Sequence, residues 1–290
     1  MPSFTNQATL SYQGGTINSN IAVGQIVEVL SAAKSSLLGI YRKDDMVTYV
    51  VSIVNTGSVA FTDLTVSDNL GAYVYQPSQG QESITLYPLT YRAGSLKYYQ
   101  NGTLTASPTV TQTNGLTITG VTVPAGGNAI LIYEARTNEF APLEEEGKIL
   151  NRVQITGETL NNPITVENTI EVQGEPQLAI FKSLSPLVVA ENGQVTYTFT
   201  IQNLGNEEAG EDYEVRVIDT FRPILSDLTV TYNGDAVDPA NYSYSSVTGL
   251  FTTNLGLITV PAATYTRDPQ TGAVVTTPGE VVITVTGRIG

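Results

Sequence analysis

One β-hairpin pattern occurs twice in this chain, and its two positions constrain the fold more than any other feature. Residues 3–12 read Ser-Phe-Thr-Asn-Gln-Ala-Thr-Leu-Ser-Tyr, and residues 20–29 read Asn-Ile-Ala-Val-Gly-Gln-Ile-Val-Glu-Val. Both alternate apolar and polar positions, as half-buried strands do, and Gly14-Gly15 supplies a turn between them. Phe4, Ala8, Leu10 and Tyr12 share one face of the first strand; Ile21, Val23, Val27 and Val29 share one face of the second. Residues 148–172 repeat the pattern. Phe4 aligns with Ile149, Asn6 with Asn151, Ala8 with Val153 and Leu10 with Ile155; Ile21 aligns with Ile164, Val23 with Val166, Val27 with Ile170 and Val29 with Val172. The pattern thus stands once ahead of a first repeat and once at its end. None follows the second repeat.

The repeats are legible from spacing. Lys34 and Lys182, Tyr49 and Tyr197, Asn55 and Asn203, and Gly57 and Gly205 are all separated by 148 residues. Val47-Thr-Tyr matches Val195-Thr-Tyr, Leu64-Thr-Val-Ser-Asp68 matches Val215-Arg-Val-Ile-Asp219, and Ile130-Leu-Ile-Tyr-Glu-Ala-Arg136 matches Val282-Ile-Thr-Val-Thr-Gly-Arg288. Short strands rich in Val, Thr, Ile and Tyr, separated by Asn-Gly and Pro-Ala turns, read as all-β. The expected architecture is two tandem immunoglobulin-like β-sandwiches preceded by a hairpin. The segments are 1–29 (hairpin), 30–173 (first domain) and 174–290 (second domain lacking a closing hairpin), with the linker at Gln173-Gly-Glu-Pro-Gln177.

Composition excludes several functions. A net charge of −14, with only 13 Lys and Arg, opposes binding to nucleic acid or an anionic membrane. No apolar run is long enough to insert in a bilayer, and Met-Pro-Ser-Phe is not a secretory signal. The absence of histidine and cysteine removes the usual bases, nucleophiles and zinc ligands. No enzyme, cofactor or metal site is expected. The acidic runs Glu144–Glu146 and Glu207–Asp212 lack calcium-loop spacing and read as solvated loops. Tyr87, Tyr91, Tyr98, Tyr99, Tyr242 and Tyr244 offer a weaker possibility, a glycan-binding surface.

A Lys early in the first strand, Val-Thr-Tyr with an Asn-x-Gly turn, x-Thr-Val-x-Asp and a final strand carrying Asn together resemble the DUF11 repeat of bacterial surface proteins. The resemblance covers both repeats and implies an Ig-like module of surface proteins and appendages, without a particular activity. The displaced closing hairpin departs from it.

Strand parity also aims polar residues at the cores. Lys34 shares a face with Leu30 and Ala32, Asp68 with Leu64 and Val66, and Asn151 with Ile149 and Val153. Lys182, Asp219 and Asn6 occupy the same positions in the second set. Buried charges persist only when paired or functional. Burial favours a neutral acid and a neutral amine, which suits a spontaneous Lys–Asn isopeptide bond. This triad resembles that of the Ig-like isopeptide domains of Gram-positive pili. The expected bonds are Lys34–Asn151 assisted by Asp68, and Lys182 with Asn6 of an adjacent subunit assisted by Asp219. The alternative is a buried Lys–Asp ion pair with Asn hydrogen-bonded to it, or strand ends left wet.

A sandwich without its last two strands exposes core side chains worth about 1.5–3 kcal/mol each. The hairpin at 3–29 could close it in cis, but the linkerless Val29-Leu30 junction opposes that reach. In trans, each subunit completes the next, and the contact propagates head to tail. The expected function is a structural subunit of an extracellular or spore-surface fibre whose partners are identical subunits. The alternative is a monomeric surface adhesin that binds glycan or protein.

Overall fold

The computed structural model describes residues 3–25, 28–77 and 82–289; Val27 of the hairpin lies outside them. Apart from two short 3-10 turns (Glu211–Tyr213 and Pro239–Asn241), the regular structure of these residues is β. No helix is long and apolar enough to cross a membrane. Two immunoglobulin-like sandwiches follow a leading hairpin, each with its own apolar core.

In the first sandwich, one sheet runs in the order Thr103–Thr105, Lys97–Gln100, Asn128–Thr137, Met46–Asn55, Leu30–Ser36. The facing sheet runs Thr109–Thr111, Leu116–Val123, Phe61–Asp68, Lys148–Thr156, Ile164–Val172, and Ile40–Tyr41 adds in parallel to its last strand. Period-2 alternation explains the core. Val47, Tyr49, Val51 and Ile53 point inward from one strand, and Ile149, Val153 and Ile155 from the opposite sheet. The second sandwich repeats the first sheet as Leu178–Ser185, Gln194–Asn203, Gly279–Ile289, Leu225–Tyr232 and Asp235–Ala236. Its facing sheet has only Ile218–Thr220, Leu250–Thr253 and Tyr242–Tyr244.

The repeated Asn-x-Gly has a structural cause. Buried Asn55 accepts the Gly57 N–H (2.9 Å) and donates to the carbonyls of Val59 and Pro124; Asn203 accepts the N–H groups of Gly205 and Gln177. Each glycine lets the segment entering its repeat lie close. A Cβ on Gly57 would stand 2.8 Å from Val29, and one on Gly205 would stand 2.1 Å from the Glu175 carbonyl. Val29 is thereby tied to the first sandwich: its carbonyl accepts the Thr56 N–H at 2.9 Å. Its place as the last hairpin residue is corrected accordingly, because backbone bonding to the Asn55 turn wins over the alternation pattern.

The two sandwiches meet through more than the linker. Arg42 pairs with Glu175. A hairpin of Thr264–Arg267 with Val274–Thr277, which has no counterpart in the first repeat, reaches back to it. Val274 donates its N–H to the Glu139 carbonyl (2.7 Å), and Arg267 donates to the Phe140 carbonyl (3.3 Å). Gly272, with φ +75°, packs where a side chain would strike Leu86 and Tyr75.

Candidate functional site

In the first sandwich, Leu30–Ser36 carries Lys34 and the end of Phe61–Asp68 carries Asp68, and the core closes over both side chains (0% and 1% exposed). Lys34 Nζ stands 2.5 Å from Asp68 Oδ2 and donates to the Tyr133 hydroxyl at 3.0 Å. Tyr133 in turn donates to Asp68 Oδ2, and the Leu70 N–H donates to Oδ1 at 2.6 Å. The Lys34 Nζ lies 4.6 Å from the centroid of the Tyr49 ring. Burial pulls the Lys34 pKa down in spite of Asp68, and burial pushes the Tyr49 and Tyr133 phenols up.

Asn151 completes the group from Lys148–Thr156. It is fully buried, yet neither its Oδ1 nor its Nδ2 has a hydrogen-bond partner. The Tyr49 and Tyr133 phenols face it without meeting it in hydrogen-bond geometry, and the Tyr49 hydroxyl is likewise unpartnered. Each such orphan costs about 1–3 kcal/mol. A buried amine whose neutral form is favoured, a carboxyl group and an unsatisfied carboxamide therefore share one dry pocket. This set can exchange the carboxamide nitrogen for the lysine nitrogen.

The second sandwich builds the same site and leaves it open. Lys182 contacts Asp219, and its Nζ lies 4.6 Å from the Tyr197 ring centroid and 5.5 Å from those of Phe199 and Phe221. Here the side chains are 42% and 19% exposed. The inward-facing Leu178 is 44% exposed, whereas its counterpart Leu30 is 8% exposed; Ile180 is also uncovered. The reason lies in the sheet order. Phe61–Asp68 has Leu116–Val123 on one side and Lys148–Thr156 on the other. Among the described residues, Ile218–Thr220 pairs only with Leu250–Thr253. No asparagine from this sandwich takes the place of Asn151, so the structure assembles the first predicted triad and only Lys182 and Asp219 of the second.

Asn6 lies on the leading hairpin. There Ser3–Asn6 pairs with Ala22–Gln25, and Thr9–Tyr12 pairs with Gly15–Asn18 around a two-residue Gln13-Gly14 loop. Phe4, Leu10, Tyr12, Ile21 and Val23 are all more than half exposed, and Ala8 is exposed as well. Its register differs from that of its sequence counterpart. Ile149 faces Ile170, Asn151 faces Asn168, Val153 faces Val166 and Ile155 faces Ile164. The same alignment would set Asn6 opposite Gln25 and Ala8 opposite Val23. Instead Phe4 faces Gly24 and Asn6 faces Ala22, a displacement of three residues. An odd displacement puts Val23 on the face opposite Phe4, so in this register the two apolar stripes do not form one surface.

Sequence reasoning assigned no role to Tyr49, Tyr133 or Tyr197. The shared spacing of Tyr49 and Tyr197 was the available signal; Tyr133 aligns with Val285 and had none. Of the tyrosines considered for glycan binding, Tyr91 and Tyr98 are buried in the first core, and Tyr242 and Tyr244 pack against the second. They do not form one exposed surface.

No family model matches this chain, and no curated protein matches it. Among solved structures it is similar to BcpA, the major pilin subunit of Bacillus cereus, at 12% identity over 96% of this chain and 73% of that one, with a TM-score of 0.36. It is similar to the collagen-binding domain of a Staphylococcus aureus adhesin at 13% identity over 52% of this chain and 100% of that one (TM-score 0.30). It is also similar to a family 123 glycoside hydrolase from Clostridium perfringens at 11% identity over 50% of this chain, with a TM-score of 0.29; it spans 27% of that hydrolase's length. Likenesses this weak assign no activity or partner.

Proposed function

We propose that this chain is the structural subunit of an extracellular fibre, with DUF11-type repeats, that polymerises head to tail by donating its leading hairpin to the second sandwich of the next subunit. One observation carries this reading. The second sandwich is uncovered where the first is closed by Lys148–Thr156 and Ile164–Val172, and the solvent-exposed hairpin matches those strands position by position. Docking extends the sheet at the free edge of Ile218–Thr220 and covers Leu178, Ile180 and Lys182. The donor and acceptor are different surfaces, so the contact repeats without closing a dimer. Because the free register mis-faces Val23, docking includes a three-residue shift that brings Asn6 opposite Gln25.

In the docked state Asn6 takes the position of Asn151, beside Lys182 and Asp219. The Lys182 amine attacks the Asn6 Cγ, the new N–C bond forms, the Cγ–Nδ2 bond breaks, and Nδ2 departs as ammonia. Asp219 accepts the amine proton and passes it to the leaving nitrogen. In the first sandwich, Lys34, Asp68 and Asn151 carry out the same exchange as an internal clasp. The chain is then a structural protein whose only chemistry is on itself. The unsatisfied Asn151 carboxamide supports this, since amide formation removes its orphaned nitrogen. The test is to boil assembled polymers in detergent. Wild-type polymers should persist as ladders, and Asn6→Ala polymers should fall to monomers. Wild-type polymers that dissolve completely would remove the intersubunit bond, and ladders unchanged by Asn6→Ala would remove Asn6 from it.

A further inference from the structure

We propose that Tyr49 and Tyr197 are catalytic residues for this amide exchange, each donating its phenolic hydrogen bond to the carboxamide oxygen as that oxygen becomes an oxyanion. The inference rests on the Lys–Asn reading above. Attack by Lys34 on Asn151 moves the carbonyl π pair onto Oδ1, and that negative charge develops in a pocket without water. A donor aimed at the developing charge, and unused before it develops, stabilises the transition state without stabilising the ground state.

Tyr49 fits that description. Its hydroxyl is fully buried and unpartnered, and it faces a carboxamide that is also buried and unpartnered. Two adjacent orphans are costly in the unreacted fold and become partners in the tetrahedral intermediate. Burial raises the phenol pKa, so Tyr49 keeps its proton and remains a donor. Tyr133 cannot serve in its place, because its single proton already goes to Asp68 Oδ2. When the intermediate collapses, the carbonyl re-forms, Nδ2 leaves as ammonia with the proton held by Asp68, and Tyr49 keeps its own.

The second site isolates what the reaction needs. Tyr133 is replaced there by Val285, whereas Tyr197 stands where Tyr49 does. The lysine nitrogen lies 4.6 Å from the tyrosine ring centroid at both sites. Lysine, aspartate and this tyrosine are therefore the set common to both acceptor sites, to which the asparagine is added from Lys148–Thr156 or from a donor hairpin.

The experiment follows full-length chain made by cell-free synthesis, reading intact mass against time. Tyr49→Phe keeps the ring beneath Lys34 and removes only the hydroxyl. Loss of the first-domain ammonia is expected to slow about 100-fold, the effect of removing one oxyanion donor. Far-ultraviolet dichroism should match wild type. Loss at the wild-type rate would overturn the role of Tyr49. A wild-type chain that loses no ammonia would instead overturn the Lys–Asn reading. Tyr197→Phe makes the second arm, at a site that is half open and free of the first core's packing demands. Its polymers should sediment like wild type, while their detergent-resistant fraction accumulates about 100-fold more slowly. Accumulation at the wild-type rate would overturn the proposal even if Tyr49→Phe did not fold.

Discussion

Replacing Asn151 with alanine removes the internal clasp and has a calculable effect. A Lys34–Asn151 bond joins the first strand of the sandwich to its second-to-last and closes a loop of about 120 residues, which lowers the unfolded chain's entropy by an amount worth about 5 kcal/mol. Two smaller effects accompany the substitution. The cavity left by the truncated side chain destabilises, and removal of an orphaned carboxamide stabilises, by about 1–3 kcal/mol each, and they largely offset. A domain of roughly 140 residues unfolds with an entropy near 0.3 kcal/mol/K, so a loss of about 5 kcal/mol lowers its Tm by about 15–20 °C. Calorimetry of the wild-type and Asn151→Ala chains reads this directly, and intact mass reports whether wild type has lost ammonia. A variant melting within about 3 °C of wild type, from a wild-type chain with no mass loss, would refute the clasp.

Three further outcomes are expected. In Asn151→Ala the Lys34 amine is free, faced by Asp68, Tyr49 and Tyr133, with its pKa held by burial below the ordinary 10.5. The folded state then binds fewer protons than the unfolded state between the two Lys34 pKa values. Stability rises with pH through that window and falls as pH drops through it; the wild-type amide does not titrate and lacks this slope, as denaturation midpoints at several pH values will show. The chain has no cysteine, so engineered disulfides can fix the hairpin register. Ser3→Cys with Gln25→Cys locks the free pairing and should block polymerisation until reduced, whereas Thr9→Cys with Ala22→Cys locks the docked pairing and should permit it; equal polymerisation of both oxidised chains would argue against the shift. Leu10 is exposed in the subunit, but its counterpart Ile155 is fully buried. Leu10→Asp should leave the melting temperature unchanged and abolish polymer, since burying an unpaired carboxylate costs several kcal/mol; intact polymer would show that Leu10 is not inserted.

Alternation made much of this legible. Because side chains in a strand repeat every second residue, the inward parity of Lys34, Asp68 and Asn151 could be read before any contact was known, and all three are buried. Pairing register was not legible. It is set by the Gln13-Gly14 loop and by whether a sheet edge is present to template the hairpin, and neither follows from the stripe of Phe4, Ala8 and Leu10. The tyrosines were hidden for another reason. Tyrosine is an ordinary strand residue, so Tyr133 differs from any core aromatic only through the two polar groups it meets in three dimensions. The Thr264–Thr277 hairpin showed only as extra length between matched segments, because its partners, Glu139 and Phe140, lie far away in sequence.

Sedimentation of the full-length chain beside a chain that begins at Leu30 tests the central claim most directly. Both keep the second sandwich and its uncovered sheet, and only the first carries a hairpin to fill it. The account predicts large polymers from the full-length chain and none from the shortened one, with added 3–29 peptide capping the acceptor and suppressing wild-type growth. Monomers from both chains, or equal polymers from both, would contradict donation of the leading hairpin.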